Sequence, residues 1–165
     1  MTKLSDAHNE AAPAWTRSLQ PGDIVAFEFP HEKPGDEAPK LRPTLVLGIN
    51  RSGDQHVADL AYGTSQPCRR RLRQEYAIPV VAPDELNAAS LHQPTRFDPM
   101  RRVSVPLSDS RFGVHAVSGT PVLGRLTGAA KACMNQMWDR LRAGQARRRA
   151  RLFRRPKTQA MSIAD

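Results

Sequence analysis

The chain has 165 residues, enough for one domain with its own core and terminal extensions. Aromatic residues are few at 5%, while there are 14 prolines and 10 glycines, a composition that favours a loop-rich domain over a helical bundle. No apolar run approaches the roughly 20 residues that cross a bilayer, and residues 1–14 lack the apolar stretch of a signal peptide, so no membrane partner and a cytoplasmic location are expected.

The net charge is +9, but it is unevenly placed. Residues 142–157 hold eight basic and no acidic side chains, leaving 17 basic against 16 acidic residues elsewhere. Such a segment is either a solvated extension or a non-specific phosphate binder acting through counterion release.

In chain order, residues 1–20 read as a flexible leader, and Pro21-Gly22 as a turn. Residues 23–29 alternate, with Val25, Phe27 and Phe29 on one face, which predicts a strand with a strongly buried side. The Pro- and charge-rich segment 31–39 predicts a loop. Residues 44–49 are nearly all apolar, as in a central strand. A turn at 50–54 leads to a strand at 56–62, making a hairpin with the previous one.

A basic loop at 67–73 precedes a short strand at 76–81, which Pro79 assigns to a sheet edge. Residues 83–91 predict a short helix with Asp84 as its cap. Residues 102–107 alternate, with Val103, Val105 and Leu107 inward. The last element is an amphipathic helix starting near Thr127, with Leu126, Ala130, Cys133, Met137 and Leu141 in one stripe, widened by Met134 and Trp138, and a stop at Gly144. The whole predicts a mainly β domain with some helix: a small, strongly bent barrel over 21–143, closed by the C-terminal helix, then a basic tail over 144–165 expected to be disordered.

Several chemistries are disfavoured by spacing. Cys68 and Cys133 form no pairing or metal motif, and His8, His31, His56, His92 and His115 lie at no ligand spacing, so no metal or other cofactor is expected. A phosphate-cradling glycine loop before a helix and a Ser nucleophile elbow are both missing from the sequence. RNA cleavage asks less of a protein, because the substrate's 2′-hydroxyl can be the nucleophile. An Arg can then hold the phosphate oxygens and a Thr or Ser hydroxyl can orient them. Arg42, before one apolar run, and Thr64, after the next, are the candidates. Lys40, Ser65, Gln66 and Arg69 flank them as candidate substrate contacts. Taken alone, each also reads as an ordinary surface cation or turn residue.

At these residues the chain resembles the MazF/PemK family of toxins from type II toxin–antitoxin systems. The likeness runs through Gly22-Asp23-Ile24-Val25, the Arg42-Pro43-Thr44-Leu45-Val46-Leu47 segment, Thr64-Ser65, and Val122-Leu123-Gly124-Arg125-Leu126 before the last helix. It departs from the family at Pro94-Thr95-Arg96-Phe97-Asp98, where an Ile-Arg-Thr-like segment is usual. The resemblance implies an SH3-like barrel, a homodimer, and metal-independent cleavage of single-stranded RNA leaving 5′-hydroxyl and cyclic or 3′-phosphate ends. It places the catalytic roles on Arg42 and Thr64, and implies a cognate antitoxin as protein partner. A non-catalytic small barrel that binds nucleic acid or protein is the alternative.

Overall fold

The computed structural model describes residues 13–30, 40–53, 55–67 and 75–153. Six antiparallel strands form one curled sheet in the order β4-β5-β3-β2-β1-β6. They are β1 (Asp23–Glu28), β2 (Leu41–Ser52), β3 (Gln55–Thr64), β4 (Ile78–Val80), β5 (Thr95–Pro106) and β6 (Val122–Arg125). Three helices are seen among the described residues: α1 (Ala14–Ser18), α2 (Pro83–Ala88) and α3 (Gly128–Phe153). The expected mainly β architecture with a helix at its end is present, as a half-barrel rather than a closed one. The edge strands β4 and β6 do not pair with each other. The end of α2 lies against β6, so close to Gly124 that a side chain there would strike the Ala88 carbonyl.

Each face of the sheet carries its own core, because strand side chains alternate. Ile24, Leu45, Leu47, Ala61, Ile78, Val80 and Phe97 face α3, where Ala130, Met134 and Met137 meet them. Val25, Phe27, Phe29, Val46, Leu60 and Val105 face the other way and pack with Phe112, Trp15 and Leu19. Both faces of β1 are therefore buried. The segment 13–20, expected to be part of a flexible leader, instead forms α1 and seats Trp15 and Leu19 in the second core. Its five helical residues are too few for a periodicity to be read.

The helix expectations hold in part. Met134 and Met137 are buried, and the Thr127 carbonyl accepts the first helical hydrogen bond from Lys131. Gly144 does not end α3, which runs on to Phe153. A lone glycine costs a helix only about 1 kcal/mol, and the residues after it are good helix formers. Asp84 does not cap α2; Ala82 occupies that position, with Pro83 as the first helical residue. The carboxylate that does cap a helix is Glu85. It is buried, and its Oε1 accepts the Ala130 N–H of α3 at 3.1 Å, satisfying one of that helix's unpaired donors and facing its positive end. Gly128 adopts φ +51°, and a Cβ there would press on the same oxygen.

Cys133 is a free, half-buried thiol on α3, and burial pushes its pKa up. Cys68, Arg69 and the remainder of the basic tail from residue 154 lie outside the described residues. Among the described residues no helix is long and apolar enough to cross a membrane.

Glu85→Ala should lower stability by about 1–2 kcal/mol, the usual loss for a helix cap. Urea unfolding followed by circular dichroism measures this; an unchanged midpoint would contradict the capping role.

Candidate active site

The hairpin of β2 and β3 places the candidate residues. Thr44 pairs with Tyr62, Leu45 with Ala61 and Val46 with Leu60. Continued two residues toward the strand ends, that register sets Arg42 opposite Thr64, and directly opposed residues share a face. β5 extends the row, since Thr64 pairs with Arg96. On the far side of β2, Arg42 pairs with Phe27 of β1. The face therefore carries Phe27, Arg42, Thr64 and Arg96 in one line across four strands. Opposed Cβ atoms in such a row stand about 4.5–5.5 Å apart.

Gly63 lets the two strands meet there. A Cβ on it would collide with the Pro43 carbonyl oxygen and approach the Phe97 ring to 2.8 Å. Only a glycine allows this approach without moving backbone. At the end of β3, the Thr64 Oγ1 accepts the Gln66 backbone N–H at 3.1 Å. That bond fixes the side chain and leaves the hydroxyl proton available for donation. Ser65 and Gln66 are exposed and, with Thr64, Pro79, Thr95 and Arg96, border an open hollow of about 190 Å³. Arg42 stands across Thr64 from that hollow and is not in its lining. Lys40 is exposed just before β2.

Arg42 is half-buried, with its guanidinium carbon 5.9 Å from the centre of the Tyr62 ring. Arg101 covers the same ring more closely, at 3.7 Å, and lies 5.6 Å from Phe29. Sequence reasoning did not anticipate Arg96 or Arg101 as site residues. It divided this stretch into a Pro-rich segment and a separate strand, whereas β5 is continuous and carries a bulge. Ala61 pairs with Arg102, yet the next residue, Tyr62, pairs with Asp98. Residues 99–101 are thus looped out of the ladder. The Asp98 Oδ1 accepts the Met100 N–H at 3.0 Å, and Arg102 donates to the Pro99 carbonyl, also at 3.0 Å. A bulge re-aims side chains, and here Arg101 lies over Tyr62. The readable signal is Pro99, which cannot donate to a ladder.

The arginines of this face are not equivalent. Arg111, 5.1 Å from the Phe27 ring, has its fork filled by Asp109, with Nε–Oδ1 at 3.0 Å and Nη2–Oδ2 at 2.7 Å. That pairing holds the Asp109 carboxyl below the usual carboxylate range and raises the arginine's pKa. Among the described residues, Arg42 and Arg96 have no such carboxylate partner. Their charges remain available to an anion lying along the row.

Two further aromatics have structural places. Phe97 is fully buried in the core facing α3, and Trp138 packs at that core's edge. Among the described residues no group of three or more His, Cys, Asp or Glu is gathered so as to hold a metal ion. No protein-family model and no curated protein sequence matches the chain.

Gly63→Ala should destabilise the protein by about 1–3 kcal/mol, because the methyl meets backbone rather than a flexible side-chain end. A wild-type midpoint in chemical unfolding would show that β2 and β3 can part at this point without penalty.

Proposed function

We propose that the chain is a metal-independent endoribonuclease that cleaves single-stranded RNA by attack of the substrate's own 2′-hydroxyl. The supporting observation is the row Arg42, Thr64, Arg96, in which a residue with a fixed hydroxyl stands between two arginines that have no carboxylate partner among the described residues. A phosphodiester offers two non-bridging oxygens, and a planar guanidinium can hold both. In this reading Arg42 grips the scissile phosphate and stabilises the charge that builds on its oxygens in the transition state. Thr64 donates a hydrogen bond to one of those oxygens and fixes the phosphate in line with the 2′-hydroxyl. The 2′-oxygen bonds to phosphorus and gives up its proton to solvent water as the 5′-oxygen leaves and takes up a proton from water, producing a 2′,3′-cyclic phosphate and a 5′-hydroxyl end.

Arg96 extends the positive surface to the next phosphate. Ser65 and Gln66, exposed beside the hollow after β3, and Lys40, exposed before β2, are further substrate contacts in this reading. The ordered segments that resemble those of MazF/PemK toxins favour this chemistry over a passive barrel. They also suggest the toxin role, a cognate antitoxin as protein partner, an SH3-like barrel and a homodimeric assembly.

Long RNA incubated with the protein in EDTA tests the reading. Scission should persist in the chelator and leave 5′-hydroxyl ends. Arg42→Ala should lower the rate by a factor of about 10² to 10³, as expected for a preorganised electrostatic contact, with an unchanged circular dichroism spectrum. Thr64→Ala should also slow cleavage, and Thr64→Ser should restore much of it. Full activity in a folded Arg42→Ala protein would remove the assignment. Tight RNA binding with no scission in any sequence context would leave the non-catalytic barrel.

A further inference from the structure

A second hollow lies on the opposite face of the sheet from Arg42 and Thr64. It is a cleft of about 850 Å³ between the sheet and the second half of α3. Both of its walls change from apolar to polar. On the sheet, the apolar series that includes Leu45, Leu47 and Ala61 gives way to Asn50, Asp59 and Ser104. On α3, Ala130 and Met134 give way to Trp138, Arg142, Gln145 and Arg149, which continue along that side at spacings of four, three and four. A helix stripe that turns from core residues to arginine and glutamine is not built to pack on the protein's own interior.

The floor is ordered and polar. Asp59 is 9% exposed, and its two oxygens accept one hydrogen bond each, from Asn50 Nδ2 at 2.8 Å and from the Ser104 hydroxyl. A carboxylate has about four acceptor positions, so capacity remains on the cleft side. Trp138 rests over Gly48, where a Cβ would stand 3.4 Å from the indole nitrogen, and Arg102 lies 5.7 Å from its ring. Arg142 and Arg149 are exposed at the cleft wall. Beyond Asp139, α3 carries Arg140, Arg142, Arg147, Arg148, Arg149 and Arg151 and no acidic residue.

We propose that this cleft binds one nucleotide of a single-stranded nucleic acid. Arg142 and Arg149 hold the phosphate, Trp138 packs against the base, and Asp59 accepts from an amino or imino group on the base edge. The volume suits a nucleotide, and an aromatic ring beside cations and a hydrogen-bonding floor is the combination such ligands use. An acidic peptide would satisfy the arginines but would bring a further negative charge toward Asp59. The proposal is independent of catalysis at Arg42.

The test is binding of a fluorescein-labelled ten-nucleotide RNA whose 2′-oxygens are all methylated, so that no 2′-hydroxyl attack can occur. Two double variants change the net charge equally, R142E/R149E in the cleft wall and R147E/R148E outside its lining. Circular dichroism verifies that both fold. The cleft variant should weaken binding by about tenfold or more, and the other by about threefold or less, beyond which sequence-independent attraction would explain the result. RNA should also quench tryptophan fluorescence in the wild type and much less in Trp138→Phe, since Trp15 is buried in the other core. Equal losses in the two variants, unchanged binding by R142E/R149E, quenching that persists without Trp138, or a deca-glutamate peptide that binds more tightly than the RNA would each overturn the proposal. Loss of RNA cleavage in Arg42→Ala with this binding intact would separate the two sites.

Discussion

The antiparallel register of β2 and β3 is the constraint on which the rest depends. Side chains alternate along a strand, so a slip of one residue would send Arg42 and Thr64 to opposite faces. The register is held on both sides. Val46 and Leu60 fill one core while Leu45 and Ala61 fill the other, and each would meet the wrong environment after a slip. At the rim, the close approach of Gly63 to Pro43 keeps the strands together to their ends. Arg42 and Thr64 thus stand opposite one another in the sheet because of hydrophobic sorting several residues away.

The same alternation divides the molecule into two working sides. One face carries the row of Arg42, Thr64 and Arg96 beside Tyr62, whose ring lies under Arg101. The other face is covered by α3 over its apolar part and then opens into the polar cleft floored by Asp59. The Glu85 carboxylate sets where α3 begins, and so where its apolar stripe ends and its arginine-bearing stripe starts. A positively charged helix end projecting past a small core would be costly to bury, and here it is spent on a surface that can face phosphates.

How much of this was legible in the sequence follows from the range of the interactions involved. The β2–β3 hairpin and the placement of Pro79 at an edge were readable because periodicity and proline chemistry are local. So was the buried stripe of α3. The bulge in β5 was not, because looping out residues 99–101 depends on how that strand meets Tyr62 and Ala61 of another. With it were missed Arg96 and Arg101. Trp15 and Leu19 offered no periodic pattern, and their burial is decided by Phe112, nearly a hundred residues later. Gly144 was over-read as a stop, since one glycine cannot outweigh the helix formers that follow it. Arg42 and Thr64 could be named from the sequence, but setting them opposite one another took the register of β2 and β3, and adding Arg96 to the row took the pairing of β5.

A structure of the protein bound to a short RNA with 2′-deoxyribose at the cleavage position tests the central claim most directly. The account predicts one phosphate within hydrogen-bonding reach of both the Arg42 guanidinium and the Thr64 hydroxyl, with the following phosphate toward Arg96. An RNA strand whose phosphates touch neither Arg42 nor Thr64 would contradict it.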